Sequence, residues 1–151
     1  MQNSVPDGSS ATQPIEVAAV VLYRPDGKVL TVRKAGTTMF MFPGGKHQDD
    51  ETPLDTAIRE LAEETSLAVP PEDLEHIGAW DTPAANENGH QLHSEVFVLL
   101  RPLARNEVPE ANAEIEELVW MDPAAPEAPA GHGIAPLLRA VFPELARRRP
   151  F

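Results

Sequence analysis

Residues 45–67 read GKHQDDETPLDTAIRELAEETSL, the most chemically informative stretch of the chain. Thr52 is a natural N-cap, Pro53 suits the first helical position, and Asp55 stands where a side chain can answer the cap. The spacing predicts a helix beginning at Pro53. On that helix Leu54, Ala57, Ile58, Leu61 and Thr65 share one arc of about 100°, a stripe that can be buried. Glu60, Glu63 and Glu64, at i, i+3 and i+4, share a neighbouring arc of about 100°. Three carboxylates so close repel one another by a few tenths of a kcal/mol per pair, a cost that a bound cation reverses. Hard divalent ions such as Mg²⁺ take several oxygen ligands and leave room for phosphate oxygens and water. A merely solvated acidic face, with Asp55–Arg59 and Arg59–Glu63 pairs at i, i+4, would look the same on the helix alone. The residues upstream separate the two readings.

Gly44 and Gly45 precede the helix and allow the backbone to come close to a ligand. Glu51 lies six residues after Gly45, and Arg59-Glu60-Leu61-Ala62-Glu63-Glu64 begins eight residues after Glu51. This pattern resembles the signature of the Nudix hydrolases: glycine, five residues, glutamate, seven residues, then Arg-Glu-apolar-x-Glu-Glu-x-Gly-apolar. Gly45, Glu51, Arg59, Glu60, Leu61, Glu63, Glu64 and Leu67 fill their places, and Ser66 stands where the family has glycine. With ordinary residue frequencies, the fixed polar positions coincide by chance about once in 10⁴ such chains. A serine forced into the left-handed conformation at this point would cost about 1 kcal/mol.

The resemblance implies an α/β fold, the Nudix α/β/α sandwich with a mixed β-sheet between helices. It implies hydrolysis of a nucleoside diphosphate linked to another group, such as ADP-ribose, a nucleotide sugar or a nucleoside triphosphate. Mg²⁺, or Mn²⁺ in its place, would be held by Glu60, Glu63 and Glu64, one of which could also serve as base. Arg59 would align the carboxylates by pairing with Glu51, and Gly44 and Gly45 would shape the loop that meets substrate. Family members often recruit a further acid from a later loop; Glu114, six residues before Trp120, resembles that position best, with Glu116, Glu117, Glu87 and Glu95 as competitors. Pro83, sixteen residues past Leu67, resembles a proline of the ADP-ribose pyrophosphatases, though prolines are frequent in this chain. The alternative is a non-catalytic Nudix-like module that senses a nucleotide; it would be expected to lose a carboxylate of the signature, and this chain keeps all four glutamates. Many relatives form homodimers, and the sequence leaves the oligomeric state open.

Composition bounds these readings. A chain of 151 residues has the size of one domain, which can bury close to 70% of its unfolded surface. We expect residues 15–151 to form a single domain and residues 1–14, polar and rich in Ser, Gln and Pro, to form a flexible tail. There is no cysteine, so a metal must be held by oxygen or imidazole, and a reducing cytoplasm is the expected compartment. A formal net charge of −12 argues against a broad grip on nucleic-acid polymers, which needs clustered Lys and Arg. It leaves open a small phosphorylated nucleotide bound through metal. The first residues show neither a basic segment nor an apolar core, and no run of about 18 apolar residues suits a membrane span.

The pattern along the chain predicts a strand over 15–23 and another over 28–33, joined by the turn Arg24-Pro25-Asp26-Gly27 as a hairpin. Strands are also expected over 74–80, 91–101 and 118–121, the second of these central. A long polar loop, 81–89, is placed to touch substrate. A Pro- and Ala-rich linker, 122–133, precedes a helix over 134–149 that Pro143 should shorten or kink. Arg33 and Lys34, near a strand end, could meet phosphate. His47 could touch substrate; His90 and His93 lack a third partner of matching spacing for zinc. Phe40, Phe42 and Trp80 could stack on a base, although core packing competes for them.

Overall fold

The computed structural model describes residues 13–85 and 89–148; the expected tail up to residue 12, Glu87 and Arg149 lie outside them. The elements are β1 (Ile15–Val21), β2 (Val29–Lys34), β3 (Met39–Phe40), β4 (Gly44–Lys46), α1 (Pro53–Thr65), β5 (Leu74–Pro83), β6 (Gln91–Leu99), β7 (Ile115–Met121), β8 (Gly133–Ile134) and α2 (Pro136–Arg148). One turn of 3₁₀ helix, Pro71–Asp73, follows the paired prolines after α1.

The main sheet has the order β4-β1-β6-β5, with β1 parallel to β6 and the outer pairs antiparallel. β1 is an unbroken apolar run because it is covered on both sides, as a parallel central strand must be. Ala18 and Val20, with Leu22 just past the strand, pack with Ala57 and Leu61 of α1, while Ala19 and Val21, with Tyr23 beyond them, pack with Leu138, Val141 and Phe142 of α2. The result is helix, mixed sheet and helix in three layers. Two smaller ladders complete it, β2 with β7 antiparallel and β3 with β8 parallel.

The hairpin expected for β1 and β2 is confined to its turn. Gly27 N–H bonds to Arg24 C=O at 2.9 Å and Leu30 N–H to Leu22 C=O at 3.0 Å, but then the strands part. β1 needs neighbours on both edges and finds β4 and β6, which leaves β2 to pair with β7. β5 runs through to Pro83 rather than stopping at Trp80, bridged to β6 past a bulge between His76 and Gly78. β7 starts at Ile115, three residues before the expected Leu118, because those residues pair with the end of β2. Ile134 belongs to β8, so the last helix begins at Pro136. Pro143 lies inside that helix, which continues to Arg148. Pro143 and Arg139 are both on the exposed side, where water can satisfy the Arg139 carbonyl that proline leaves without a donor.

On the β5–β6 face beyond α1, a chain of hydrogen bonds runs across the strands. His76 Nε2 and His93 Nε2 meet the two oxygens of Glu95 at 2.6 and 2.8 Å, and His93 Nδ1 meets Asp81 at 2.8 Å. Asp81 first, then Glu95, push the His93 imidazole above its usual value. A value raised on folding gives stability that is complete below the unfolded histidine pKa, about 6.5, and is lost as pH rises through the folded value. The urea midpoint should therefore fall as pH is raised from about 6 to about 9, and His93→Gln should flatten that slope. Separately, Leu61, fully buried between α1 and the sheet, should cost about 2–5 kcal/mol on truncation to alanine, read from the same urea titrations.

Candidate active site

The helix α1 begins as its sequence predicts. Asp55 N–H bonds to the Thr52 hydroxyl and Thr52 N–H to the Asp55 carboxylate, each at 3.1 Å, with Pro53 in the first turn. Ala57, Leu61 and Thr65 are buried, which aims the glutamate arc at the edge of the sheet where β4 lies. The three glutamates are not equivalent there. Glu63 is half-exposed, Glu60 mostly covered, and Glu64 only 1% exposed.

Arg59 organises the exposed part of this arc. Its guanidinium makes a fork on Glu51, Nε to Oε2 at 2.5 Å and Nη2 to Oε1 at 3.1 Å. Nη1 reaches Glu60 at 3.1 Å and Glu63 at 3.2 Å, and Nη2 also donates to the Lys46 carbonyl at 3.1 Å. The Arg59 hydrogen bonds, joined by those from Thr56 and the Gln48 amide, hold the Glu51 carboxyl down to about 2. Such a bidentate pair fixes orientation as well as charge. Glu51 is thus the anchor of the arginine, and the arginine faces the helix carboxylates.

Glu64 has the opposite environment. Its Oε1 accepts the Gly44 N–H at 3.1 Å, while Oε2 is buried with no hydrogen-bond partner among the described residues. Burial, reinforced by the charges of Glu60 and Glu114 and opposed by the Gly44 amide and Lys34, pushes its carboxyl up to about 8. Burial also raises Glu60, against the pull of Arg59. Buried anionic oxygens without donors are costly unless a cation or proton meets them.

The glycines are needed where they stand. Gly44 has φ +156°, and a Cβ there would strike the Ala18 carbonyl; a Cβ on Gly45 would strike the Glu60 carboxylate. The backbone of β4 therefore lies directly against the carboxylates, held by pairing of Gly45 with Ala18 of β1.

Of these groups Gly44, Gly45 and Glu60 line a cleft of about 590 Å³. Lys34, Lys46, Glu60 and Glu114 lie along it together with Gly44 and Gly45, and Val17, Met41, Phe42, Leu92 and Leu138 supply apolar wall. Pro83 and Ala84 also reach it. Of the competing later acids, Glu114 alone among the described residues borders the cleft, with Lys34 Nζ at 3.6 Å from its carboxylate. Glu116 and Glu117 turn to Arg33 at 3.4 and 3.1 Å, and Glu95 is held by the two histidines. Arg33 does not join the site: it also bonds to the Thr37 carbonyl at 2.8 Å and is tied along β7. A register shift between Arg33 and Lys34 gives the neighbouring lysine, instead, a place beside Glu114. His47 Nδ1 meets the Thr56 hydroxyl at 3.1 Å, His93 is engaged on the far face, and Phe40 is fully buried.

Ser66 adopts φ +66°, the left-handed cap that the sequence raised as a cost. Its hydroxyl receives a hydrogen bond from the Asn112 side chain. A net gain of about 0.5–1.5 kcal/mol for such a bond is comparable with the strain of about 1 kcal/mol. Nothing in the sequence near Asn112 signals this partnership, which spans 46 positions.

Among the described residues, no three acidic or histidine side chains already converge as an ion cage, since Glu60 and Glu63 are turned to Arg59. The donor set nevertheless fits a hard divalent cation: carboxylate oxygens only, and one of them, Glu64 Oε2, buried without a partner.

Comparison with known proteins agrees with this geometry. The NUDIX domain model matches residues 13–141. An RNA pyrophosphohydrolase from Xanthomonas campestris pv. campestris is 43% identical over 60 residues, 40% of this chain and 28% of that protein. The matched segment thus spans little more than a quarter of that relative. Among solved structures, a MutT/nudix family protein from Enterococcus faecalis superposes with a TM-score of 0.69 at 17% identity, covering 97% of this chain and 65% of that one. The NUDIX domain of Shewanella oneidensis NrtR, crystallised with ADP ribose, superposes with a TM-score of 0.68 at 19% identity, covering 97% and 94%. With a family model spanning most of its length, signature residues in place and the α/β/α layers assembled around them, the chain belongs to the Nudix hydrolase family.

Proposed function

We propose that the protein is a divalent-metal-dependent pyrophosphohydrolase acting on a small nucleotide: ADP-ribose, a nucleotide sugar or a nucleoside triphosphate. The observation that carries this reading is Glu64, a buried carboxylate with one oxygen unpartnered among the described residues, next to the Glu60 carboxylate, which lines a cleft that Glu114 also borders. Glu60, Glu63 and Glu64 would hold Mg²⁺ or Mn²⁺. Bound there, the cation would neutralise pyrophosphate oxygens and make a water molecule more acidic.

The chain's own groups have distinct tasks. Arg59 keeps Glu60 and Glu63 in place through its anchor on Glu51. Gly44 holds one oxygen of Glu64 through its amide, and the other, without a partner among the described residues, would be the one to meet the cation. Glu114, on the cleft with Lys34 Nζ 3.6 Å from its carboxylate, would take the proton from attacking water. Lys34 and Lys46 supply positive charge along the cleft for phosphate oxygens, and the apolar wall accepts the nucleoside end. Attack of water on phosphorus forms one P–O bond as the bridging P–O bond breaks, and the leaving phosphate carries the negative charge away.

ADP-ribose is supported by the ligand of the Shewanella oneidensis structure and by Pro83 on the cleft. RNA pyrophosphohydrolysis has the partial sequence match, but the net charge of −12 disfavours an RNA polymer.

A phosphate-release screen over ADP-ribose, nucleotide sugars, dinucleoside polyphosphates and triphosphates should show turnover of at least one with Mg²⁺ and none after chelation. A folded protein that binds nucleotide and hydrolyses none of them refutes the reading. Glu64→Gln should lower kcat by about 10²-fold or more while thermal melting shows the fold retained, because the amide has nearly the same shape as the buried carboxyl and keeps an oxygen for the Gly44 N–H.

A further inference from the structure

The segment 110–114 leads into β7, and its hydrogen bonds run to the end of α1 on one side and to Ala35, past the end of β2, on the other. Glu110 N–H donates to the Thr65 carbonyl at 2.9 Å and Asn112 N–H to the Glu64 carbonyl at 3.0 Å. These are two of the carbonyls that the last helical turn leaves without partners. The Asn112 amide side chain adds its bond to the Ser66 hydroxyl, on the cap itself. On the other side, the Glu114 carbonyl accepts the Ala35 N–H at 2.8 Å, beyond the end of β2. Between these two sets of bonds Ala113 is held at φ +53°, a conformation that a non-glycine residue keeps only when its surroundings impose it. Glu114 follows at once and borders the cleft.

The place of Glu114 is thus set by the same helix end that carries Glu64. Backbone bonds hold the segment at Glu110, Asn112 and Glu114; the side-chain bond of Asn112 to Ser66 is the one that ties it to the helix cap through a side chain. It is also the feature by which this chain departs from the signature, since a glycine at position 66 has no hydroxyl to offer. We propose that Asn112, through Ser66, is a positioning residue that fixes Glu114 against the Glu60 and Glu64 carboxylates. The proposal rests on the reading of this cleft as the hydrolytic site. It makes the serine in the signature a functional substitution rather than a tolerated one, because the strained cap is used to hold the acid from the later loop.

The test is a set of variants in the full chain: Asn112→Ala, Ser66→Ala, Glu114→Gln and their pairwise combinations. Melting temperature, steady-state kinetics on the best substrate of the screen, and Mn²⁺ binding without substrate by electron paramagnetic resonance are measured for each. Asn112→Ala and Ser66→Ala should each lower kcat by about tenfold with KM little changed, and weaken Mn²⁺ binding by a similar factor. Their double variant should be no worse than either alone, since both remove one bond. Neither should add to the loss already caused by Glu114→Gln, which a generally loosened fold would do. Losses that multiply with Glu114→Gln, or variants matching wild type in both kcat and Mn²⁺ affinity, overturn the proposal. If Asn112→Ala does not fold, Ser66→Ala and Ser66→Gly decide by the same criteria. A wild type that binds Mn²⁺ but hydrolyses nothing defeats the hydrolase reading alone, and the Mn²⁺ series then decides this one; a wild type that does neither overturns both.

Discussion

A single guanidinium, that of Arg59, joins the loop before α1, the β4 backbone and two carboxylates of the helix. Its fork on Glu51 is the most strongly charge-assisted contact of the site, and it directs the remaining donors to Glu60, Glu63 and the Lys46 carbonyl. Without such a hub, four glutamates in so small a volume would repel one another and the helix would turn them to water. With it, part of their charge is offset and their positions are defined. Glu64 stays outside this neutralisation: the arginine does not bond to it, and burial leaves it with a single amide donor. The site is therefore divided into a compensated rim and an uncompensated interior, and the uncompensated part is where a cation has most to gain.

The surrounding fold keeps this division in place. α1 is fixed through Ala57 and Leu61 on the even face of β1, and the same strand carries β4 on its edge through Ala18 and Gly45. Helix and glycine strand are thus referenced to one central strand, so the Gly44 amide and the Glu64 carboxylate meet reproducibly. From the opposite layer, α2, the residues that line the cleft are Pro136, Leu137 and Leu138, which close its apolar wall. One side of the sheet supplies the acids and the other supplies the shape.

Much of this was legible from residues in order. The capping box, the apolar stripe and the glutamate arc of α1 are local features, read from spacing alone because a helix has a fixed period. The glycine pair and its distance to Glu51 were equally plain. The hairpin departs from its sequence pattern for a related reason: a turn can be read locally, but which strands it leads to depends on how many neighbours each strand must have to be covered. Arg33 and Lys34 show the limit most clearly. Adjacent and alike in charge, they receive opposite fates from a register shift against β7, which no local pattern announces.

The sequence by itself determined the acidic helix, its carboxylate face and the family signature, because these rest on periodicity and short-range hydrogen bonds. Only the tertiary structure decided that Glu64 is buried with one oxygen unpartnered among the described residues, that Glu114 rather than Glu116 or Glu117 borders the cleft, and that Ser66 has a partner in Asn112. Each of those depends on segments dozens of residues apart being brought into contact. Burial and pairing across such distances are properties of the packed chain, and they set the charge state and direction of side chains whose identity alone leaves both open.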